Sequence, residues 1–82
     1  MQLSTKVPVR APGVGSALAS VEQAINFIDR QLGPELARLP RWTFARALLV
    51  EVLRTGKSRD MKAAVRQLRQ ALSNEHWLND AG

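Results

Sequence analysis

The sequence predicts an α+β domain, mostly helical, in which a short N-terminal β-hairpin packs on three α-helices. Three observations predict it. Apolar residues recur at helical spacing over three stretches, a capping signal or a glycine marks most boundaries between them, and the first twenty residues instead place valines two apart among prolines and glycines. With 82 residues the chain has room for one domain, 1–82, and one modest core.

The hairpin is expected at 6–19. Val7 and Val9 flank Pro8, which suits an edge strand because proline cannot donate to a ladder. Pro12-Gly13-Val14-Gly15 reads as a turn and Ala17 to Ala19 as the returning strand. Two strands are marginal alone, so they should lie on a helix. Residues 1–5 and 79–82 are expected to be mobile.

The first helix is expected at about 20–32. Ser20 with Gln23 forms a capping-box pair, and Val21, Ala24, Ile25, Ile28 and Leu32 follow the spacing of an inward stripe flanked by Phe27. Gly33 reads as a left-handed stop and Pro34 blocks continuation. Leu36 and Leu39 then suggest one helical turn over the core before Pro40 redirects the chain.

The second helix is expected at about 41–55. Trp42, Ala45, Leu48, Leu49, Val52 and Leu53, joined by Phe44, cover about half its circumference. Ala47 and Val50 add apolar surface on the other arc, as a homodimer face or as a seat for the hairpin. Gly56 ends this helix, and Ser58 is expected to cap the third, about 58–74, with Asp60 complementing the dipole of its first turn. The third helix is expected to fray near Ser73 to Glu75, and Trp77 and Leu78 to fold back on the core.

At about 100° per residue, Met61, Ala64, Val65, Leu68, Ala71 and Leu72 gather on one side of the third helix. Arg59, Lys62, Arg66 and Arg69 gather nearly opposite. The net charge of +5 belongs mainly to this half, since residues 1–40 hold four bases and three acids and residues 41–82 hold eight bases and four acids. A field of that sign favours encounter with nucleic acid, acidic proteins or anionic lipid.

Composition narrows the function. Without cysteine there are no disulfides, thiolate ligands or thiol nucleophiles, which suits a cytoplasmic chain. The longest apolar run, Ala47 to Val50, is far short of the about 20 residues that span a bilayer, so no membrane insertion is expected. One histidine, His76, and no tyrosine leave general acid–base and nucleophilic schemes without partners. No enzymatic activity, metal, cofactor or small-molecule substrate is expected, and Gly13-x-Gly15 lacks the rest of any phosphate-loop motif.

A helix, a glycine-containing turn and a basic helix resemble a helix-turn-helix arrangement. On that reading Arg59, Lys62, Arg66 and Arg69 contact phosphates, and Gln67 or Gln70 reaches base edges. The competing reading is a solvated face on a domain that binds a protein partner, or itself, through a helix face.

Pro8-Val9, the opening Ser20-Val21-Glu22-Gln23-Ala24, the alanine-bearing central helix ending at Gly56, and Ser58 leading into Met61-Lys62-Ala63-Ala64-Val65 together resemble a bacterial domain-of-unknown-function family numbered 982. That resemblance spans nearly the whole chain. It implies a hairpin with three helices and assigns no activity and no catalytic residues. The sequence therefore reads as a small non-enzymatic interaction or regulatory domain, with nucleic-acid binding by the third helix as the alternative.

Overall fold

The computed structural model describes residues 1–10 and 17–78. The expected turn at Pro12–Gly15 and the tail 79–82 lie outside the described residues. Strands β1 (Gln2–Pro8) and β2 (Ala17–Ser20) pair antiparallel, followed by α1 (Val21–Asn26), a π-helical stretch (Phe27–Gln31), α2 (Pro34–Ala37), α3 (Pro40–Thr55) and α4 (Ser58–Asn74). This is the α+β, mostly helical architecture that the sequence predicts, with α1, α3 and α4 as its three main helices.

The hairpin begins earlier than expected. Residues 1–5, read as a mobile end, instead supply most of β1, because Leu3 is buried and the Met1 carbonyl accepts a hydrogen bond from the Val21 N–H at 2.7 Å. Pairing slips between Gln2↔Ser20 and Val7↔Leu18; Leu3 and Val7, four apart, share the buried side as the pleat dictates, while Thr5 between them is exposed within this irregular stretch. β1 packs on α4 and β2 on α1. Beyond β1, Val9 bridges Leu78 and the Arg10 N–H donates to the Trp77 carbonyl at 2.7 Å, so the chain after α4 does fold back.

The start of α1 is held by the capping box. Ser20 Oγ accepts from the Gln23 N–H at 3.0 Å, and Gln23 Oε1 accepts from the N–H groups of Ser20 and Ala19. The helix then widens, with the Leu32 N–H donating to the Phe27 carbonyl five residues back. A wider turn advances fewer degrees per residue, so the neighbours Phe27 and Ile28 both point inward, where α-helical spacing left Phe27 on a flank. Phe27 meets Trp42 at 5.9 Å and the edge of Trp77 at 6.4 Å between ring centroids, separations typical of favourable aromatic pairs.

Gly33 stops this helix with φ 92 and ψ 149, a mirror-extended conformation open essentially to glycine, and not the left-handed helical one expected. Gly56, at φ 65 and ψ 13, is left-handed as expected, and its N–H donates to the Val52 carbonyl at 2.8 Å. Ser58 does not cap α4. Lys57 occupies the N-cap with no side-chain bond; Thr55 Oγ1 instead accepts from the Lys57 N–H and donates to Asp60 Oδ2 at 2.6 Å, tying the connector together.

The core is one cluster drawn from every main element. Trp42, Ala45, Leu49 and Val52 of α3 meet Ala64, Val65, Leu68, Ala71 and Leu72 of α4, with Val21, Ala24, Phe27 and Ile28 beside them and Leu3, Val7 and Leu18 from the hairpin. No side-chain nitrogen or oxygen buried among the described residues lacks a hydrogen-bond partner.

Candidate functional site

Two surfaces left outside this core carry recognisable binding chemistry. The first is the outward half of α3. Phe44 does not join the core: it is 55% exposed, because at about 100° per residue it lies some 200° around the helix from Trp42, outside the arc that Trp42 shares with Ala45, Leu49 and Val52. Leu53 is likewise not core, at 41% exposed, on the edge of the buried arc in the last turn. Val50 is 41% exposed and Ala47 is exposed. The hairpin packs on α1 and α4, so the apolar surface at Ala47 and Val50 is not its seat.

The second surface is the outward face of α4. Arg59, Lys62 and Arg66 are exposed and Arg69 is half-buried at the margin of the same face. The structure brings these four together as their spacing predicts. Among the described residues none of them forms an ion pair, whereas the arginines of α3 all do: Arg41 with Glu75, Arg46 with Asp29, and Arg54 with Glu51. Gln67 leaves the proposed base-reading set, because its Nε2 donates to the Arg41 carbonyl at 3.2 Å and holds α4 to α3. Gln70 stays exposed.

The ion pairs explain why α3 carries little free charge. Glu75, read as part of a fraying end, is instead 13% exposed, and its Oε2 accepts from Arg41 Nε at 3.1 Å, Arg41 Nη2 at 3.0 Å and Trp42 Nε1 at 3.1 Å. Burial alone would raise the Glu75 pKa, but the Trp42 and Arg41 hydrogen bonds and the Arg41 charge outweigh it and hold the carboxyl below its usual range. The hydrogen bond from Arg46, with its charge, holds Asp29 below the ordinary aspartate value in the same way.

Asp29 and Arg46 also border a shallow cleft of about 470 Å³ between the π-helical stretch, α2 and α3, lined further by Ile28, Pro34, Thr43 and Ala47. A carboxylate held ionised and paired to a guanidinium is a poor proton donor near neutral pH. Among the described residues no three of His, Asp, Glu or Cys stand together as a metal site. His76 is exposed at φ 60, where it closes α4. Its N–H donates to the Ser73 carbonyl and that of Trp77 to the Leu72 carbonyl, a Schellman turn whose left-handed position usually holds glycine.

What the geometry offers is therefore two faces of opposite character, one apolar and one cationic, on adjacent helices of a small α+β domain. No family model, curated protein or solved structure matches the chain. Among the described residues, no helix is long and apolar enough to cross a membrane.

Proposed function

We propose that this chain is a small non-enzymatic interaction module of the cytoplasm, which binds a protein partner or a second copy of itself through the outward face of α3. The observation that carries the reading is the exposure of Phe44, Val50 and Leu53 with Ala47 on that helix. Single exposed apolar residues are ordinary, but four along one helix form the kind of surface that marks contact sites. An aromatic anchor such as Phe44, with smaller apolar neighbours, suits the centre of a helix-to-helix contact. The resemblance to family 982 belongs to the same proposal and rests on the residues that carry it.

Light scattering over a concentration series tests self-association. A mass that rises towards two chains, and returns to one in the variant Phe44→Ser/Leu53→Ser, supports it. A single-chain mass at every concentration removes self-association and leaves a foreign partner. A photo-crosslinker at Ala47, used in the native host, then tests that partner: the absence of any adduct that depends on Phe44 and Leu53 removes the reading altogether.

A further inference from the structure

We propose that the outward face of α4 binds the phosphate backbone of double-stranded nucleic acid through Arg59, Lys62, Arg66 and Arg69, with little discrimination of sequence. The face is separate from the apolar one on α3, so the two proposals stand or fall independently.

The first argument is charge that nothing else uses. Glu51 and Glu75 are taken by Arg54 and by Arg41 with Trp42, and Asp60, the one acid within α4, accepts from Thr55. The four cations are therefore unpaired among the described residues and keep a positive field, reduced only by the nearby Asp60 carboxylate, on a domain whose net charge is +5.

The second argument is spacing. At about 1.5 Å of rise per residue, Arg59 to Arg69 spans about 15 Å. Counting both strands, a duplex carries a phosphate about every 1.7 Å of axis, so a row of that length lies among enough phosphates for each of the four cations to reach one.

The third argument separates this partner from an acidic protein. Protein contacts draw most of their energy from Trp, Tyr and Arg anchors in well-packed, fully desolvated pockets, and the arginines of α4 have no apolar surround to form one, since the large hydrophobic residues exposed among those described are Met1, Phe44, Val50 and Leu53, none of them on α4. Apart from cations, the exposed residues of α4 are Ser58, Ala63, Gln70, Ser73 and Asn74. Nucleic-acid interfaces are polar and strongly positive in this way. A duplex is favoured over a single strand because Phe27 and Trp42 are buried in the core, Trp77 beyond the end of α4 packs its ring against Phe27, and Phe44 stands on α3, which leaves α4 itself without a stacking platform. Sequence discrimination is weak because Gln67 is committed to the Arg41 carbonyl, leaving Gln70 and the last residue of α4, Asn74, as the exposed amides of this helix able to read a base edge.

The test is fluorescence anisotropy with a labelled mixed-sequence duplex, DNA in one arm and RNA in the other. If four phosphates are neutralised, the logarithm of the binding constant falls with that of salt at a slope of about −3.6, so raising salt from about 50 to about 200 mM weakens binding about 150-fold. The variant Arg66→Gln/Arg69→Gln halves the slope and loses only about 12-fold over the same range. Far-UV circular dichroism and melting that match wild type show that the variant folds. A competing duplex of different sequence should displace the label equally well. The proposal is overturned if neither duplex binds at the lower salt, if the variant keeps the wild-type slope, or if poly-glutamate binds more tightly than either duplex.

Discussion

Removing the Glu75 carboxylate should cost this domain a large part of its stability. In Glu75→Ala the indole N–H of Trp42, a residue with no exposed surface, loses its acceptor, which costs about 1–3 kcal/mol. The paired Arg41 is about one-third exposed and can be rehydrated, so its loss adds no more than about 1 kcal/mol. The sum is about 1–4 kcal/mol, against about 4–12 kcal/mol for a whole domain of 82 residues. Melting should fall by about 4–8 °C for each kcal/mol lost.

Urea unfolding followed by far-UV circular dichroism should show a lower midpoint with an unchanged slope. Glu75→Gln keeps an oxygen for Trp42 and gives up the charge, so it should cost less than alanine. It should also flatten the acid limb. Because the folded carboxyl titrates below its usual range, its contribution is present above that range and is lost as pH falls through the folded value. A loss below about 0.5 kcal/mol for Glu75→Ala, within the ordinary range of surface substitutions, or an acid limb unchanged in Glu75→Gln, would refute the role assigned to this carboxylate.

Other substitutions probe separate parts of the fold. Leu49→Ala removes a fully buried side chain from the centre of α3 and should cost about 2–5 kcal/mol by urea titration; a negligible loss contradicts the placement of that helix. Gly56→Ala meets no atom within 4 Å, so its cost is the left-handed backbone alone, about 1–2 kcal/mol, and a neutral result denies the conformation. His76→Gly relieves the same kind of strain at the end of α4 and should raise the melting temperature, the gain held below about 1 kcal/mol by the freedom glycine adds to the unfolded chain. A lower melting temperature would show that the imidazole makes a stabilising contact.

Features written in short-range spacing were legible in the sequence. The Ser20–Gln23 box, the Gly56 stop and the four cations of α4 are set by offsets of three and four residues, and α4 alternates apolar and polar arcs so clearly that its inward face has one solution. On α3 apolar residues lie nearly all round the helix, so periodicity could not choose which of them face out, and Phe44 and Leu53 were assigned to the core. The cap of α4 shifted by one residue because Thr55 and Asp60, not Ser58, organise the connector.

Other features depend on partners far away in the chain. Glu75 looks like a loose end until α3 brings Arg41 and Trp42 beside it, and Gln2 to Thr5 show a lone apolar residue, Leu3, until Gln2 pairs with Ser20 and Leu3 is buried. The π-helical turn was hidden for a related reason: the contacts it accompanies, those of Phe27 with Trp42 and Trp77, come from residues far along the chain. The cationic ridge could be placed from sequence, but its freedom from internal ion pairs could not, because that depends on where every acid finds its partner.

The account rests on α3 presenting one face to the core and leaving the other uncovered. Since the chain has no cysteine, Val50→Cys and Val52→Cys each place a single thiol, on the outward and inward faces respectively. Rates of modification by a thiol reagent, at dilute protein, read those faces directly. The account predicts that the thiol at position 50 reacts as fast as a free peptide thiol, and that the thiol at position 52 reacts at least about a thousandfold more slowly, because it waits on unfolding. Equal rates, or a protected thiol at position 50 in dilute protein, would contradict it.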